Sequence, residues 1–248
     1  MILNDVKIEV CCSSVQDAIN AEKGEADRIE LNSALAYGGL TPGIASLKKV
    51  KELVDIPVMA MIRPRSGGFN YSKLEFEIMK EEMKLIKETG VVGVVFGILN
   101  EKAKIDYKKN KILQEISEDL ITVFHRAYDV IPDPIEGIDI LNELGFDRVL
   151  TSAQENKIEN NLYLAKKIIN YSEGKLDVVL CGGIRDYNVK QIVFETECKE
   201  IHFSAFKKKK DNSMNDKEIK FNACGIAEDK YKMISKDKIL SIKNKLNN

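Results

Sequence analysis

The 248-residue chain has no excess of charge of either sign: 38 Lys+Arg stand against 39 Asp+Glu, with a pI near 6.2. Association with nucleic acid or anionic lipid is driven by a basic excess, so neither is expected as a partner. A long hydrophobic run is also missing. The longest, Val91 to Leu99, falls well short of the roughly 20 residues that cross a bilayer. The first residues, Met1-Ile2-Leu3-Asn4-Asp5-Val6-Lys7, lack the uninterrupted apolar stretch of a secretory signal, so a cytoplasmic location is expected. The five cysteines (Cys11, Cys12, Cys181, Cys198, Cys224) are odd in number and irregular in spacing, form no C-x-x-C pair, and read as free thiols rather than a disulfide framework. Histidine is scarce, with only His125 and His202.

What is present is one repeated rhythm: a short Val/Ile/Leu-rich run, a polar turn, an amphipathic stretch, then Gly or Pro. The runs are Val6 to Cys11, Asp27 to Leu31, Val58 to Arg63, Val92 to Phe96, Leu120 to Phe124, Arg148 to Thr151, Asp177 to Leu180 and Glu200 to Phe203. Gly24, Gly90, Gly145 and Gly174 each fall where a helix would end before the next strand. Eight βα units predict an α/β fold, a closed (β/α)8 TIM-type barrel forming a single domain over residues 1–248. An open doubly wound sheet would carry a Gly-rich phosphate loop after the first strand, and none follows Cys11. Gly24-Glu25-Ala26-Asp27-Arg28-Ile29 and Gly145-Phe146-Asp147-Arg148-Val149 echo each other four units apart, as a duplicated half-barrel or a convenient polar strand opening would produce. The stretch 207–234 opens on four lysines and breaks the rhythm, which predicts a long mobile loop; the pattern over 236–246 predicts the closing helix.

In a barrel, the strand face packed on the helices must be apolar, so alternation identifies the lumen-facing residues. These are Lys7, Glu9 and Cys11 on the first strand, Arg28 and Glu30 on the second, Met59, Met61 and Arg63 on the third, and His202 on the eighth. An unpaired buried charge costs several kcal/mol, so Lys7, Glu9, Arg28 and Glu30 should pair across strands. Reactive residue types gather at the C-terminal strand ends, where barrel enzymes build their sites. Glu9, Glu30 and His125 are the candidate acid–base groups. Arg63, Arg65, Arg126, Ser152, Gly182, Gly183, His202 and Ser204 are the candidates for holding a small anion, because guanidinium forks and exposed backbone N–H groups suit carboxylate or phosphate. The adjacent Cys11 and Cys12 should face opposite ways, which leaves no preformed two-thiol clamp for a soft metal.

Ile8-Glu9-Val10-Cys11, Ala26-Asp27-Arg28-Ile29-Glu30-Leu31, Gly38-Gly39-Leu40-Thr41-Pro42, Met61-Ile62-Arg63-Pro64-Arg65, Val95-Phe96-Gly97, Thr122-Val123-Phe124-His125-Arg126-Ala127, Leu150-Thr151-Ser152 and His202 with Ser204-Ala205 together resemble the CutC family, known as copper-homeostasis proteins. The resemblance runs from about Lys7 to Ala205. It implies a TIM-type barrel, a cytoplasmic setting, a homodimer or higher homo-oligomer, and a role in copper handling with Cu(I) contacts through cysteines near the first two strands. Cys11 matches the first of these cysteines. Asn32 stands where family members often carry a second, and Cys181 replaces a glycine of the turn after strand seven. Two functions follow: copper homeostasis with weak Cu(I) binding at Cys11, or an enzyme acting on a small anionic metabolite by acid–base chemistry at the barrel mouth.

Overall fold

Eight short runs, nearly all buried along their length, become the parallel strands of a closed barrel in the computed structural model, which describes residues 6–214, 219, 221 and 227–247. The strands are β1 (Lys7–Cys12), β2 (Arg28–Leu31), β3 (Val58–Met61), β4 (Gly93–Phe96), β5 (Ile121–Phe124), β6 (Arg148–Thr151), β7 (Asp177–Leu180) and β8 (Glu200–Phe203). They pair in sequence order, and β8 closes on β1. β6, β7 and β8 have the bounds expected from sequence, and the others differ by one or two residues, most at β3, which stops at Met61 and leaves Arg63 in the following loop.

Helices α1 (Val15–Lys23), α2 (Ile44–Leu53), α3 (Lys73–Lys87), α4 (Tyr107–Ile116), α5 (Pro134–Leu144), α6 (Leu162–Ser172), α7 (Val189–Thr196) and α8 (Lys236–Asn247) surround it. Local chemistry sets their limits. Ser72 and Glu75 form a reciprocal capping box at the start of α3, which then buries Phe76, Met79, Met83 and Ile86 at helical spacing. Asp133 caps α5, Pro134 opens it, and Gly145 at φ +83° ends it in the left-handed region. No helix among the described residues is long and apolar enough to cross a membrane.

The main core lies between strands and helices. Inside the barrel a second, smaller cluster holds Met59, Met61, Val95, Val123, Leu150, Val179 and Cys181. The lumen is therefore apolar along much of β3–β7 and ionic along β8–β1–β2, with Arg148 of β6 reaching toward the ionic side. Lys7 does not enter it: its side chain is 62% exposed and only approaches Glu200, at 3.8 Å.

The sequence echo has a structural counterpart. Asp27 accepts a hydrogen bond from the Ile8 N–H, and Asp147 accepts one from the Thr122 N–H, each carboxylate tying its strand to the preceding one. The arginines that follow, Arg28 and Arg148, converge on one carboxylate, Glu200, at 2.7 and 3.4 Å.

The expected loop over 207–234 is corrected at both ends. Phe206–Lys210 (β9) and Lys230–Ile234 (β10) form an antiparallel hairpin, with Lys207 opposite Met233 and Lys208 opposite Lys232. Lysine-rich strands hide their propensity from a hydrophobic-period reading, because their backbone pairing and contacts such as Lys209 over the Tyr231 ring leave no apolar alternation. Most of the segment between these strands, including Cys224, lies outside the described residues.

Candidate functional site

Strand register places the central group. On β1, Glu9 pairs laterally with Arg28 on one side and His202 on the other, while Cys11 lies beside Glu30. Glu9 accepts from Arg28 Nε at 2.5 Å and contacts His202 Nδ1 at 2.7 Å; Arg28 Nη2 donates to Glu200 at 2.7 Å. All four are buried. Burial alone would raise the Glu9 pKa, but His202 and Arg28 bring it down to about 2. Burial likewise opposes charge on His202, yet Glu30, the hydrogen bond to Cys11, and Glu9 hold its pKa well above the ordinary value. Near neutral pH, Glu9 is thus a fixed carboxylate clamped by two cations, a poor proton carrier.

Above this layer, Cys11 Sγ, a Glu30 carboxylate oxygen and a His202 ring nitrogen lie within 4.8 Å of one another. Burial pushes the Cys11 thiol up to about 11 and raises Glu30 as well. Asn32 Nδ2 donates to Glu30 Oε1 at 2.7 Å and approaches Cys11 Sγ at 3.4 Å. The other Glu30 oxygen is buried without a hydrogen-bond partner. Cys12 faces the outer core, as alternation requires, and Cys181 is not part of the cluster.

A cavity of about 950 Å³ opens over this floor. It brings together Cys11, Arg126, Gly182, Gly183, His202 and Ser204 from the sequence candidates. Gly182 and Gly183 sit at φ +91° and +79°, and a Cβ on Gly182 would lie 2.7 Å from that of Ser152, so a larger residue there would meet both strain and collision. Cys181, Arg185, Lys208, Lys230 and Lys232 also line the cavity.

The remaining candidates lie elsewhere. Arg63 does not stand free as an anion fork: Nη1 donates to the Tyr37 and Gly39 carbonyls, Nη2 donates to the Gly67 carbonyl, and the guanidinium lies 5.3 Å from the Phe69 ring. Arg65 is paired with Glu75 and bonded to the carbonyls of Ser66, Gly68 and Asn70. Ser152 is fully buried and hydrogen-bonded to Asp129, which also holds Arg126, Thr151 and Gln154. Of Glu9, Glu30, Arg63, His125 and His202, all expected around one cavity, only His202 lines it; Glu9 and Glu30 lie with His202 in the layer beneath, and Arg63 and His125 lie near each other. Glu200, Arg148 and Asp129 escaped the sequence analysis. The alternation Glu200-Ile201-His202 was the available signal for the first.

His125 lies against Phe69 with ring centroids 4.8 Å apart and the planes tilted by 51°, and its Nδ1 accepts the Ala127 N–H. Burial, reinforced by the charge of Arg63, lowers its pKa from 6.5 to about 3. The unfolded chain therefore takes up a proton as pH falls below 6.5 while the folded protein does not, so stability declines with acidification. The expected decline is about 2–3 kcal/mol by about pH 4.5. Urea denaturation at a series of pH values should show this slope in the wild type and a flatter one in His125→Phe. An unchanged slope in the variant would place the proton uptake elsewhere.

The sequence model of the CutC family matches residues 6–207. The chain belongs to the CutC family. A CutC family protein of Treponema denticola is 44% identical over 211 residues, covering 85% of this chain and 86% of its own. A human relative named as a copper homeostasis protein cutC homolog is 42% identical over 224 residues, covering 90% and 80%. A crystal structure of a CutC protein from Streptococcus agalactiae superposes with a TM-score of 0.77 at 33% identity, covering 80% of this chain and 98% of that one. Membership and architecture thus agree with the TIM-type barrel read from the βα rhythm.

Proposed function

We propose that the protein serves copper homeostasis in the cytoplasm, as a homo-oligomer, by holding Cu(I) weakly at the floor of the cavity through Cys11 with His202. Family membership supports the role; the observation that carries the site is the convergence of Cys11, Glu30 and His202 within 4.8 Å. A thiolate and an imidazole are donors that Cu(I) accepts, and Glu30 adds negative charge although its oxygen is a hard ligand. Weakness follows from the neighbours. Asn32 offers an amide where a second thiol would bind softly, the Cys11 thiol resists ionisation, and His202 is held protonated by Glu9 and Glu30. The metal must displace both protons to gain its two ligands.

Cu(I) titration against a competing chelator is expected to give one site that the chelator easily depletes. Cys11→Ser should weaken it by about tenfold or more, the loss of one soft ligand. Cys181→Ser should leave it unchanged. Tight stoichiometric binding that survives Cys11→Ser would show that other residues hold the metal. Sedimentation analysis tests the oligomer.

A further inference from the structure

The cavity above Cys11 has a second character that copper does not explain. Among the described residues, no Asp or Glu lines it, whereas Arg126, Arg185, Lys208, Lys230 and Lys232 do. Arg126 is neutralised by Asp129, and Lys230 lies 3.6 Å from Asp229. Arg185, Lys208 and Lys232 have no carboxylate within ion-pair distance among the described residues; Arg185 donates to the Ile184 carbonyl, and Asp186, in an adjoining cavity that the three cations also border, accepts from Ser241.

Lys208 and Lys232 stand directly opposite each other in the β9–β10 register. Like charges at that position destabilise a hairpin, so the pair is a stored repulsion that an anion between them would relieve. Facing them from the barrel is the turn after β7. Its Gly182 and Gly183 N–H groups find no acceptor among the described residues, and both residues, held at positive φ, line the cavity and lack a side chain that would screen their backbone donors. The loops after the seventh and eighth strands are where this barrel architecture most often receives phosphate.

We propose that this cavity binds a small phosphate monoester, its phosphate held by the Gly182 and Gly183 N–H groups together with Arg185, Lys208 and Lys232. Three unmatched cations favour a dianion over a single carboxylate, and the volume of about 950 Å³ leaves room for an organic portion beyond the phosphate. The hairpin has a role in this arrangement: it carries two of the three cations, which the eight-stranded barrel alone would lack. The anion-binding residues are thus moved from Arg63 and Arg65, whose guanidinium groups are tied to backbone carbonyls, to the other side of the mouth.

Glycerol 3-phosphate, glycerol and succinate, each added to the intact metal-free protein at constant ionic strength, form the test. Glycerol 3-phosphate should raise the melting temperature saturably at millimolar concentrations, while glycerol should not. The amide resonances of Gly182 and Gly183 should move with the same saturation. Lys208→Gln/Lys232→Gln should weaken binding by about tenfold or more, as expected when charge-assisted contacts are lost. Lys207→Gln/Lys209→Gln, with the same change in net charge on the other face of β9, should not. Absence of saturable binding, equal saturation by succinate, or equal loss in both double variants would each overturn the proposal. No arm contains metal, so failure here leaves the copper reading untouched.

Discussion

Arg28→Met is expected to cost about 3–5 kcal/mol of folding stability, the range found when one partner is removed from a buried ion pair. Methionine is unbranched and apolar and replaces the aliphatic stem of the arginine but not its guanidinium. What changes is that Glu9 and Glu200, both buried, lose the guanidinium that bridges them. Glu9 keeps His202, and Glu200 keeps only the longer contacts to Arg148 at 3.4 Å and Lys7 at 3.8 Å. Arg28→Lys should recover only part of the loss, because one ammonium cannot face two carboxylates as a planar fork does. The Glu9 pKa is depressed in the folded protein, so the stability this pairing supplies is present above pH 4.5 and fades as pH falls toward 2. The deficit of the variant, measured by chemical denaturation, should therefore narrow over that interval. A variant as stable as the wild type at neutral pH would mean that Arg148 and His202 suffice to balance the two carboxylates.

Arg63→Ala should lower stability by about 3 kcal/mol while leaving anion binding intact. Three backbone carbonyls, from Tyr37, Gly39 and Gly67, are gathered by this one buried guanidinium, which joins the loop after β2 to the loop after β3. Its removal breaks those three hydrogen bonds and removes the cation beside Phe69. Denaturation midpoints measure the first effect, and the thermal response to glycerol 3-phosphate measures the second. The reverse result, a stable protein that has lost its anion response, would restore Arg63 as a recognition residue.

The sequence carried the barrel because its signal is redundant: each βα unit states its own apolar run and its own stop, and Gly145 or Ser72 with Glu75 can be read without knowing any neighbour. Alternation also placed Glu9, Cys11, Arg28, Glu30 and His202 in the lumen, where they are found. It could not tell how an inward-facing residue is used. Arg63 and Arg126 resemble free forks in one dimension, yet their partners are carbonyls from another loop and an aspartate three residues on. The hairpin was hidden for a related reason: its lysines contribute backbone pairing and charge, neither of which leaves a hydrophobic period.

The bridge from Arg28 to Glu200 spans 172 positions in the chain. During synthesis the first strands emerge long before the eighth, so Glu9 and Arg28 have only each other until nearly the whole barrel has left the ribosome. His202 and Glu200 then arrive on the last barrel strand and complete the set at the edge where β8 meets β1. Barrel closure and satisfaction of the buried charges are therefore the same late event. A truncated chain lacking β8 retains an open edge and an incompletely neutralised interior, two marks by which cellular quality control can distinguish it from the finished protein.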